Sequence, residues 1–404
     1  MHIDIHVLHS VPYSNMNRDG LGSPKETIYG GKVRTRISSQ SWKRAVREEV
    51  EKQLGESTVR TRAIATGVAE VLVGRGWEAD SARKAGRAVL FSADATAKRA
   101  EGSSGGVAPD NGTDLSKVLF WVPTTALAEL ADLCEQHRDA IETTSLPDAD
   151  GTDENGSAGD SVEAVKKPAK GRAKGKGAAK PEIVLPSAQV DTILRRRSAT
   201  INLLGRMLAE MPGHNVDGAT LFAHAFTTHE TSVDFDFFTA VDDLKPSTGS
   251  GHLDTAQYAS GVFYRYSSVN IVDLTTNIGD SDDALTVIDT YLRAFCSAMP
   301  SGKQRTTGAM TPPDLVHLAL RRAPLSLAGA FEKPVLAGDD GGYAEPSRAR
   351  IAHYTDRVHK FLGKEALLWH GHASVDDGYV ALGERHDSLH DLITAAMNET
   401  GDRT

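Results

Sequence analysis

The stretch HIDIHVLH, residues 2–9, alternates apolar and polar side chains. Ile3, Ile5 and Val7 fall on one face of an extended chain, which predicts a β-strand with that face toward a core. The same residues do not repeat at helical spacing. The chain therefore opens with a strand, and the segments that follow decide what packs against it.

A helix is predicted directly downstream of this strand. A loop rich in Gly, Pro and Asn runs from Pro12 to Gly31, and a short extended run follows at Lys32–Ile37. Ser38 and Ser39 are residue types that cap a helix, and Gly55 is suited to end one. The apolar stripe between them consists of Trp42, Val46, Val50 and Leu54. This spacing predicts an amphipathic helix and completes a β-α unit.

A second β-α unit is predicted near the other end of the chain. Gly261–Ile271 is rich in β-branched and aromatic residues and predicts a strand. The helix after it has an apolar stripe at Leu285, Ile288, Leu292, Phe295 and Met299. Residues 57 to about 140 between the two units have a mostly helical pattern. Two β-α units around an insertion predict an α+β fold with helices on one face of the sheet, the ferredoxin-like plan.

Length and composition limit the classes of protein that this chain can belong to. Its 404 residues allow two to three domains, and 40% apolar residues are enough for a core. Two cysteines, Cys134 and Cys296, exclude a disulfide scaffold and fit a reducing compartment. No apolar run approaches ~18 residues, and the first six residues show no signal peptide. We expect a cytoplasmic protein with no membrane partner.

The charges are distributed unevenly along the chain. The net charge is −9, which argues against a protein that coats nucleic acid over its whole surface. Residues 17–47 nevertheless hold eight basic and two acidic residues, so this window is +6 and the remainder is −15. A basic patch on an acidic body is typical of a localised site for a polyanion. A solvated helix face is the alternative.

Residues 148–180 have a composition of their own. Acidic residues come first, without a base among them, and basic residues follow without an acid. The basic residues after position 165 are Lys166, Lys167, Lys170, Arg172, Lys174, Lys176 and Lys180. Gly, Ala, Ser and Pro fill the gaps, which predicts a disordered loop. Its role is either that of a solvated linker or that of a mobile basic tether for nucleic acid.

Motifs for catalysis and for metal binding are missing from the sequence. Gly302-Lys303 does not complete a P-loop, because position 297 is Ser and position 304 is Gln. His370-x-His372 has no third ligand at a recognised spacing. There is no G-x-S-x-G elbow and no H-E-x-x-H motif. We therefore expect no metal, no cofactor and no enzymatic role.

The basic window combines three features that each favour phosphate. Gly30-Gly31-Lys32 places flexible backbone beside a cation. The run Ser38–Ser41 places short donors at a helix start, where unpaired N–H groups favour an anion. Lys43, Arg44 and Arg47 follow on the first turns. Together they predict binding of a nucleic-acid backbone, with a capped surface helix as the alternative.

The second candidate site is the run DFDFFT, residues 234–239. Acids that alternate with aromatics suit a hairpin with one apolar face. Its phenylalanines either belong to the core or form a wedge on which nucleobases stack, worth ~1–3 kcal/mol per base.

These segments resemble those of one protein family, both in their residues and in their order along the chain. The strings are GGKVRTRISSQSWKRA (30–45), FFTAVDDL (237–244) and SGVFYRY (260–266), with shorter ones such as His6-Val7-Leu8, Gly205-Arg206-Met207 and Lys303-Gln304-Arg305. They are similar to the CasC-type backbone subunit of the type I-E CRISPR Cascade complex, within the repeat-associated mysterious protein superfamily. The resemblance covers residues 1 to about 365.

The resemblance implies a right-hand architecture. A ferredoxin-like palm would comprise residues 1–56, 195–212 and 260–404. A helical fingers insertion would span residues 57–194, and a thumb hairpin residues 213–259. Copies would polymerise along the guide spacer of a CRISPR RNA as a helical filament, and each thumb would flip one nucleotide out at intervals. Base pairing with target DNA would then supply all sequence recognition.

The resemblance also implies roles for individual residues and partners. The guide backbone would be held by Arg18, Lys25, Lys32, Ser38, Gln40, Lys43 and Arg44. Residues that intercalate at the kink would be Met207, Phe237, Phe238 and Thr239. The partners would be CRISPR RNA, target DNA through the guide, further copies of this chain, and the large, small, 5'-handle-binding and 3'-hairpin-processing Cascade subunits, in antiviral defence.

Two features depart from the family pattern. Relatives often carry Trp-Phe where this chain has Phe237-Phe238. The fingers carry the long insertion 148–180, whose basic residues from Lys166 to Lys180 are candidate contacts to double-stranded DNA. The rival function is an RNA endonuclease of the same superfamily that uses a metal or a histidine, and Asp19 is the one acid well placed for it in the basic window.

Overall fold

The computed structural model describes residues 1–97, 106–109, 113–144, 146, 182–241, 250–363, 365–376 and 378–403. The predicted loop 148–180 and its candidate DNA contacts, Lys166 to Lys180, lie outside the described residues. Two compact units are present. The first comprises Met1–Ser57, Ala199–Gly205 and Val216–Thr404, and the second comprises Thr58–Ser198 and Arg206–Asn215.

Both units contain strands and helices, which are numbered here along the chain. The strands are β1 His2–Ser14, β2 Glu26–Tyr29, β3 Lys32–Ile37, β4 Thr58–Thr61, β5 Phe120–Pro123, β6 Thr220–Phe222, β7 Ala225–Thr227, β8 Asp234–Val241, β9 Ser250–Asn270, β10 Leu315–Arg321, β11 Leu367–Ser374 and β12 Glu384–Arg385. The helices are α1 Ser39–Leu54, α2 Ile64–Gly74, α3 Ala79–Ala97, α4 Thr125–Gln136, α5 Arg138–Thr143, α6 Ser187–Leu194, α7 Ala199–Leu204, α8 Ile271–Ile278, α9 Ser281–Ser297, α10 Gln304–Thr307, α11 Ala344–Leu362 and α12 Leu389–Gly401. The predicted α+β class is confirmed.

One large mixed sheet forms the centre of the first unit. Its strand order is β12-β11-β10-β1-β9-β7-β3-β2, and β6 and β8 also pair with β9. The central strand β1 is antiparallel to both β9 and β10, and β6 and β7 lie antiparallel on the far side of β9. Helix α1 follows β1 along the chain, and α9 follows β9.

The predicted helices of the first unit form for the reasons read from the sequence. In α1, the side chains of Trp42, Val46 and Val50 are buried, and Gly55 ends the helix in the left-handed region with φ 67°. In α9 the predicted stripe is buried from Ile288 to Phe295. That helix ends before Met299, because Pro300 disfavours helical backbone at the residue before it.

Both faces of β1 are buried. Ile3, Ile5 and Val7 pack with α9 and α12 in one apolar cluster. The opposite face carries Asp4 and His6, which are also fully buried, and α11 packs over this side of the strand. Here lies a set of neighbouring imidazoles that we call the histidine row, made of His6, His317, His370 and His359.

The second unit is mainly helical, as its sequence predicts, with one addition. Helices α2, α3, α4 and α6 enclose a separate apolar core. Strands β4 and β5 form an antiparallel pair that the sequence analysis missed. The apolar run Phe120–Pro123 was the available signal, but four residues are too few for a clear period. No helix among the described residues is long and apolar enough to cross a membrane.

Candidate nucleic-acid interface

The loop between β1 and β2 is held in a defined conformation by Asp19. The Asp19 carboxylate accepts hydrogen bonds from the backbone N–H groups of Leu21 (2.8 Å) and Ser23 (3.0 Å). The backbone of Asp19 also donates to Ser23 O at 2.9 Å. Arg18, beside it, is exposed. Asp19 thus fixes the conformation of the loop that carries the exposed Arg18 side chain. Among the described residues, no group of three His, Cys, Asp or Glu side chains could hold a metal ion.

Strands β2 and β3 divide the next basic residues between structural and exposed roles. Arg34 is fully buried, and its guanidinium donates to Thr227 O (2.8 Å) and Phe331 O (3.1 Å). Lys32 is half exposed and forms an ion pair with Glu230 at 3.0 Å. Lys25 is partly exposed, and no ion pair joins it to another residue in the described ranges. Within the described ranges, Lys25 is therefore not engaged in an ion pair, whereas Lys32 is paired with a carboxylate.

The start of α1 is more fully hydrogen-bonded than its sequence indicates. The Ser38 N–H donates to Asn17 Oδ1 at 2.8 Å, and the Ser39 N–H donates to His224 Nδ1 at 2.9 Å. Burial, with Arg36 and Lys25 nearby, lowers the pKa of His224, which keeps this ring nitrogen available as an acceptor. Ser38 occupies the cap position, but its side chain accepts no capping bond. Two of the N–H groups predicted to face an anion are thus already satisfied.

The first turns of α1 carry the remaining candidates. Gln40 is exposed, and Lys43 is half-buried with its Nζ 5.9 Å from the centre of the Phe222 ring. Burial lowers the pKa of Lys43. Arg44 is exposed but donates from Nε to Glu48 at 2.8 Å, and this bond raises the pKa of Arg44. Part of the hydrogen-bonding capacity of the Arg44 guanidinium is therefore already used by Glu48.

The run DFDFFT forms β8 and pairs with β9 in a hairpin that projects from the sheet. The side chains of Phe235, Phe237 and Phe238 are 71%, 66% and 39% exposed, and Thr239 is exposed as well. The interpretation of these residues as core is therefore wrong. Large apolar side chains displayed together on a ribbon are unusual for an unpartnered surface and suit a stacking role.

Met207 lies in the second unit and is displayed by a buried arginine. The neighbouring Arg206 is 4% exposed. Its guanidinium donates to the backbone carbonyl oxygens of Trp121, Leu194, Arg195, Arg196 and His214, at 2.9–3.4 Å. Gly205 before it has φ 80°, a conformation that suits glycine. The backbone is thus fixed immediately before a methionine that is 84% exposed.

Within the first unit, the Arg18 loop and the base of the hairpin are joined. Asn15 Nδ2 donates to Gly22 O (2.9 Å) and to Gln257 O (2.8 Å). The Ser23 hydroxyl also bonds to the side-chain oxygen of Gln257. Gln257 lies opposite Phe235 in the hairpin. A surface with exposed cations is therefore connected to a ribbon with exposed aromatics, the combination that binds single-stranded nucleic acid.

Comparison with known proteins gives a consistent result. A family model described as "CT1975-like protein" matches residues 3–395. The chain is similar to a solved structure described as "CRISPR RNA-guided surveillance complex, pre-nicking", with 41% identity and a TM-score of 0.82 over 98% of this chain and 99% of that chain. A second, "CRISPR RNA-guided surveillance complex", shows 36% identity and a TM-score of 0.73 over 98% and 99%. No curated protein matches.

One of these matches corrects an expectation from the sequence. The lack of a recognisable acid–base pair predicts a chain with no enzymatic role. The first matched structure, however, is described as a complex in a "pre-nicking" state. The expectation that the chain has no enzymatic role is contradicted by this match.

Proposed function

This chain belongs to the CT1975-like protein family, and on that premise we propose that it is a CRISPR RNA-binding subunit of a Cascade-type surveillance complex. The observation that carries the proposal is the match to two such complexes at 41% and 36% identity over 98% of the chain. The finer part of the proposal is a backbone subunit of type I-E, which polymerises along the guide spacer, kinks it at intervals and presents it to invading DNA in the cytoplasm.

The geometry of the first unit supports a site for RNA backbone. Arg18, Lys25 and Lys43 are cations that no ion pair joins to other residues in the part of the chain that the structure describes. Gln40 adds a neutral donor, and Ser38, Lys32 and Arg44 lie along the same segment with part of their capacity already used. Phosphate contacts of this kind position a strand without reading its sequence, which is what a carrier of variable guides requires.

The proposal assigns the displayed apolar residues to the kink. Phe237, Phe238 and Thr239 on the hairpin and Met207 in the second unit would contact a nucleotide taken out of the stack. Neighbouring copies and the large, small, 5'-handle-binding and 3'-hairpin-processing subunits would be the protein partners, and target DNA would be bound through the guide. Residues 57–194 and 213–259 would serve as fingers and thumb.

The direct test is binding of the full chain to a single-stranded RNA of CRISPR length across a salt series. An equal-length DNA duplex serves as the competitor. We expect tight, salt-sensitive binding that ignores RNA sequence and places several protomers on each strand at a regular spacing. Equal competition by the duplex, or protomers at irregular spacing, would contradict the proposal.

Replacing Lys43 with alanine is expected to weaken binding to all single-stranded RNAs to the same degree. Because the Lys43 ammonium would neutralise one phosphate, the slope of log K against log salt should become shallower by about 0.7 to 1. Lys52 on the same helix is the control, because its Nζ already lies 3.9 Å from Glu49 Oε2. Lys52→Ala should therefore leave the slope unchanged. A loss at Lys43 that depends on RNA sequence would exclude a phosphate contact.

A further inference from the structure

The hairpin of β8 and β9 has two chemically different faces. In an antiparallel pair, residues opposite each other share a face, and successive residues alternate between faces. One face, here called the apolar face, carries Phe235, Phe237, Thr239, Leu253, Thr255 and Gln257. The other, here called the acidic face, carries Asp234, Asp236, Asp254, Phe238, Ala256 and Tyr258. The resemblance treats Phe237 and Phe238 as one pair, but the register places them on opposite faces.

The apolar face has no ionisable side chain, and its large residues are open to solvent. Phe235, Phe237 and Leu253 are 71%, 66% and 58% exposed. Phe235 and Phe237 are two residues apart on one strand, which places their rings about 6.6 Å apart along it. That distance suits neighbouring bases of a strand that has been partly unstacked, since stacked bases lie about 3.4 Å apart along each strand.

The acidic face presents three carboxylates where a phosphate backbone would have to pass. No ion pair neutralises Asp234, Asp236 or Asp254 within the described ranges. Asp254 accepts one hydrogen bond, from the backbone N–H of Thr255 at 2.8 Å. Like charges brought together cost free energy, so this face repels a polyanion.

The base of the hairpin shows which face points toward the cations. Gln257, on the apolar face, contacts Ser23 in the loop that carries Arg18. Tyr258, on the acidic face, instead stacks on Tyr13 of β1 with ring centres 4.1 Å apart. A strand held by the Arg18 loop therefore meets the apolar face directly.

We infer that Phe235 is a base-stacking residue alongside Phe237, and that Asp234, Asp236 and Asp254 keep RNA phosphates off the opposite face, so that a strand crosses the hairpin on one side. This inference rests on the proposed function, since it requires that RNA binds the first unit. It assigns Phe238 a smaller part in stacking than the adjacent Phe237. Phe235 carries none of the roles implied by the resemblance.

The first test uses RNA with 2-aminopurine placed at successive positions and the full-length chain. This base becomes brighter when it is unstacked from its neighbours, and its emission changes again on contact with an aromatic ring. Phe235→Ala should weaken binding about tenfold (~1.4 kcal/mol) and abolish the position-dependent signal. Phe361→Ala, which removes an exposed phenylalanine of α11 outside the proposed site, should leave both unchanged. Phe235→Tyr should restore both properties, and Phe235→Leu should restore neither.

The outcomes separate the inference from the function on which it rests. If the wild-type chain binds no RNA, the proposed function fails and the inference fails with it. If the wild type binds but Phe235→Ala behaves like the wild type, the inference alone is overturned. Because Phe235 is mostly exposed, the midpoint of urea unfolding should not move, which excludes misfolding as the cause of a loss.

The second test neutralises the acidic face. The triple variant Asp234→Asn, Asp236→Asn, Asp254→Asn should tighten RNA binding severalfold and spread the 2-aminopurine signal over more positions, because strands would then cross on either face. The matched control removes three negative charges from exposed positions elsewhere, with Asp339→Asn, Asp340→Asn and Asp402→Asn. Equal tightening in both variants would mean that net charge alone is responsible, and would overturn the guarding role.

Discussion

Replacing Arg206 with alanine is expected to lower the free energy of unfolding of the second unit by about 4 kcal/mol or more. The reason is the set of five backbone carbonyl oxygens to which this guanidinium donates. Without it, carbonyls from three separate chain segments lose a charged partner, and those of Leu194 and His214 are buried. Burial lowers the pKa of Arg206 to about 10, which still leaves the guanidinium charged at neutral pH.

Urea unfolding followed by the fluorescence of Trp77 and Trp121 measures this loss, since both tryptophans lie in the second unit. Arg206→Lys should recover part of the stability, because an ammonium donates fewer bonds in a less fixed geometry. The control is Arg195→Ala, which removes a half-exposed side chain paired with Asp191 and should cost less than about 1 kcal/mol. Equal stability of Arg206→Ala and the wild type would show that the carbonyls find other partners.

Acidification is expected to destabilise the first unit steeply. Burial, with Arg321 and His359 nearby, lowers the pKa of His6 to about 3, and burial with Arg265 nearby lowers the pKa of His9 to about 3. The pKa of His317 is lowered well below its usual value, by burial first and then by the imidazoles and Arg321 around it. In the unfolded chain these groups bind protons below pH 6.5, whereas in the native state they stay neutral.

Asp4 partly opposes this trend. Burial raises the pKa of Asp4 to about 6, so the native state takes up one proton between pH 6 and 4 before the unfolded state does. These three histidines and one aspartate together account for an uptake of about two protons on unfolding, which contributes a fall of ~2.7 kcal/mol per pH unit to the free energy of unfolding between pH 6 and 4. The stability is fully present above pH 6.5 and is lost as the pH falls.

Free energies of unfolding from urea titrations at pH 7, 6, 5 and 4 check this slope. His317→Gln removes one titrating group and should reduce the slope by about 1.4 kcal/mol per pH unit, whatever its own effect on stability at pH 7. His353 on α11 is exposed, and His353→Gln should leave the slope unchanged. A free energy of unfolding that is flat between pH 6 and 4 would contradict the prediction that His6, His9 and His317 stay neutral in the native state.

The histidine row also shows why half of β1 was predictable. The alternation of Ile3, Ile5 and Val7 correctly predicts a strand with a buried face, because apolar periodicity is a local signal. Asp4 and His6 on the other side look like a solvent-facing pattern. They are buried because α11, more than 300 residues later, packs over that face. The local sequence pattern of β1 cannot predict that a helix so distant in the chain packs on this face.

The candidate site shows a similar division. The basic segment and the aromatic run can be located from the sequence, because the charge or aromatic ring of a side chain is known from its residue type alone. Their availability depends on partners distant in the chain. Arg34 is occupied by carbonyls of Thr227 and Phe331, and Lys32 by Glu230. The number of free charges therefore requires the tertiary structure, although the position of the basic patch does not.

Strand β9 is 21 residues long and passes without interruption from the hairpin into the centre of the sheet. At about 3.3 Å per residue it is a rod of about 70 Å. Between Leu253 and Tyr264 its odd and even positions alternate between the two sides, so the parity counted from Tyr264 in the core dictates which side of the ribbon Thr255 and Leu253 occupy. Adding one residue near Gly261 would shift this phase by half a period and turn the β9 side chains of the hairpin to the opposite side. The position of β9 in the central sheet thus determines which side chains each face of the hairpin presents.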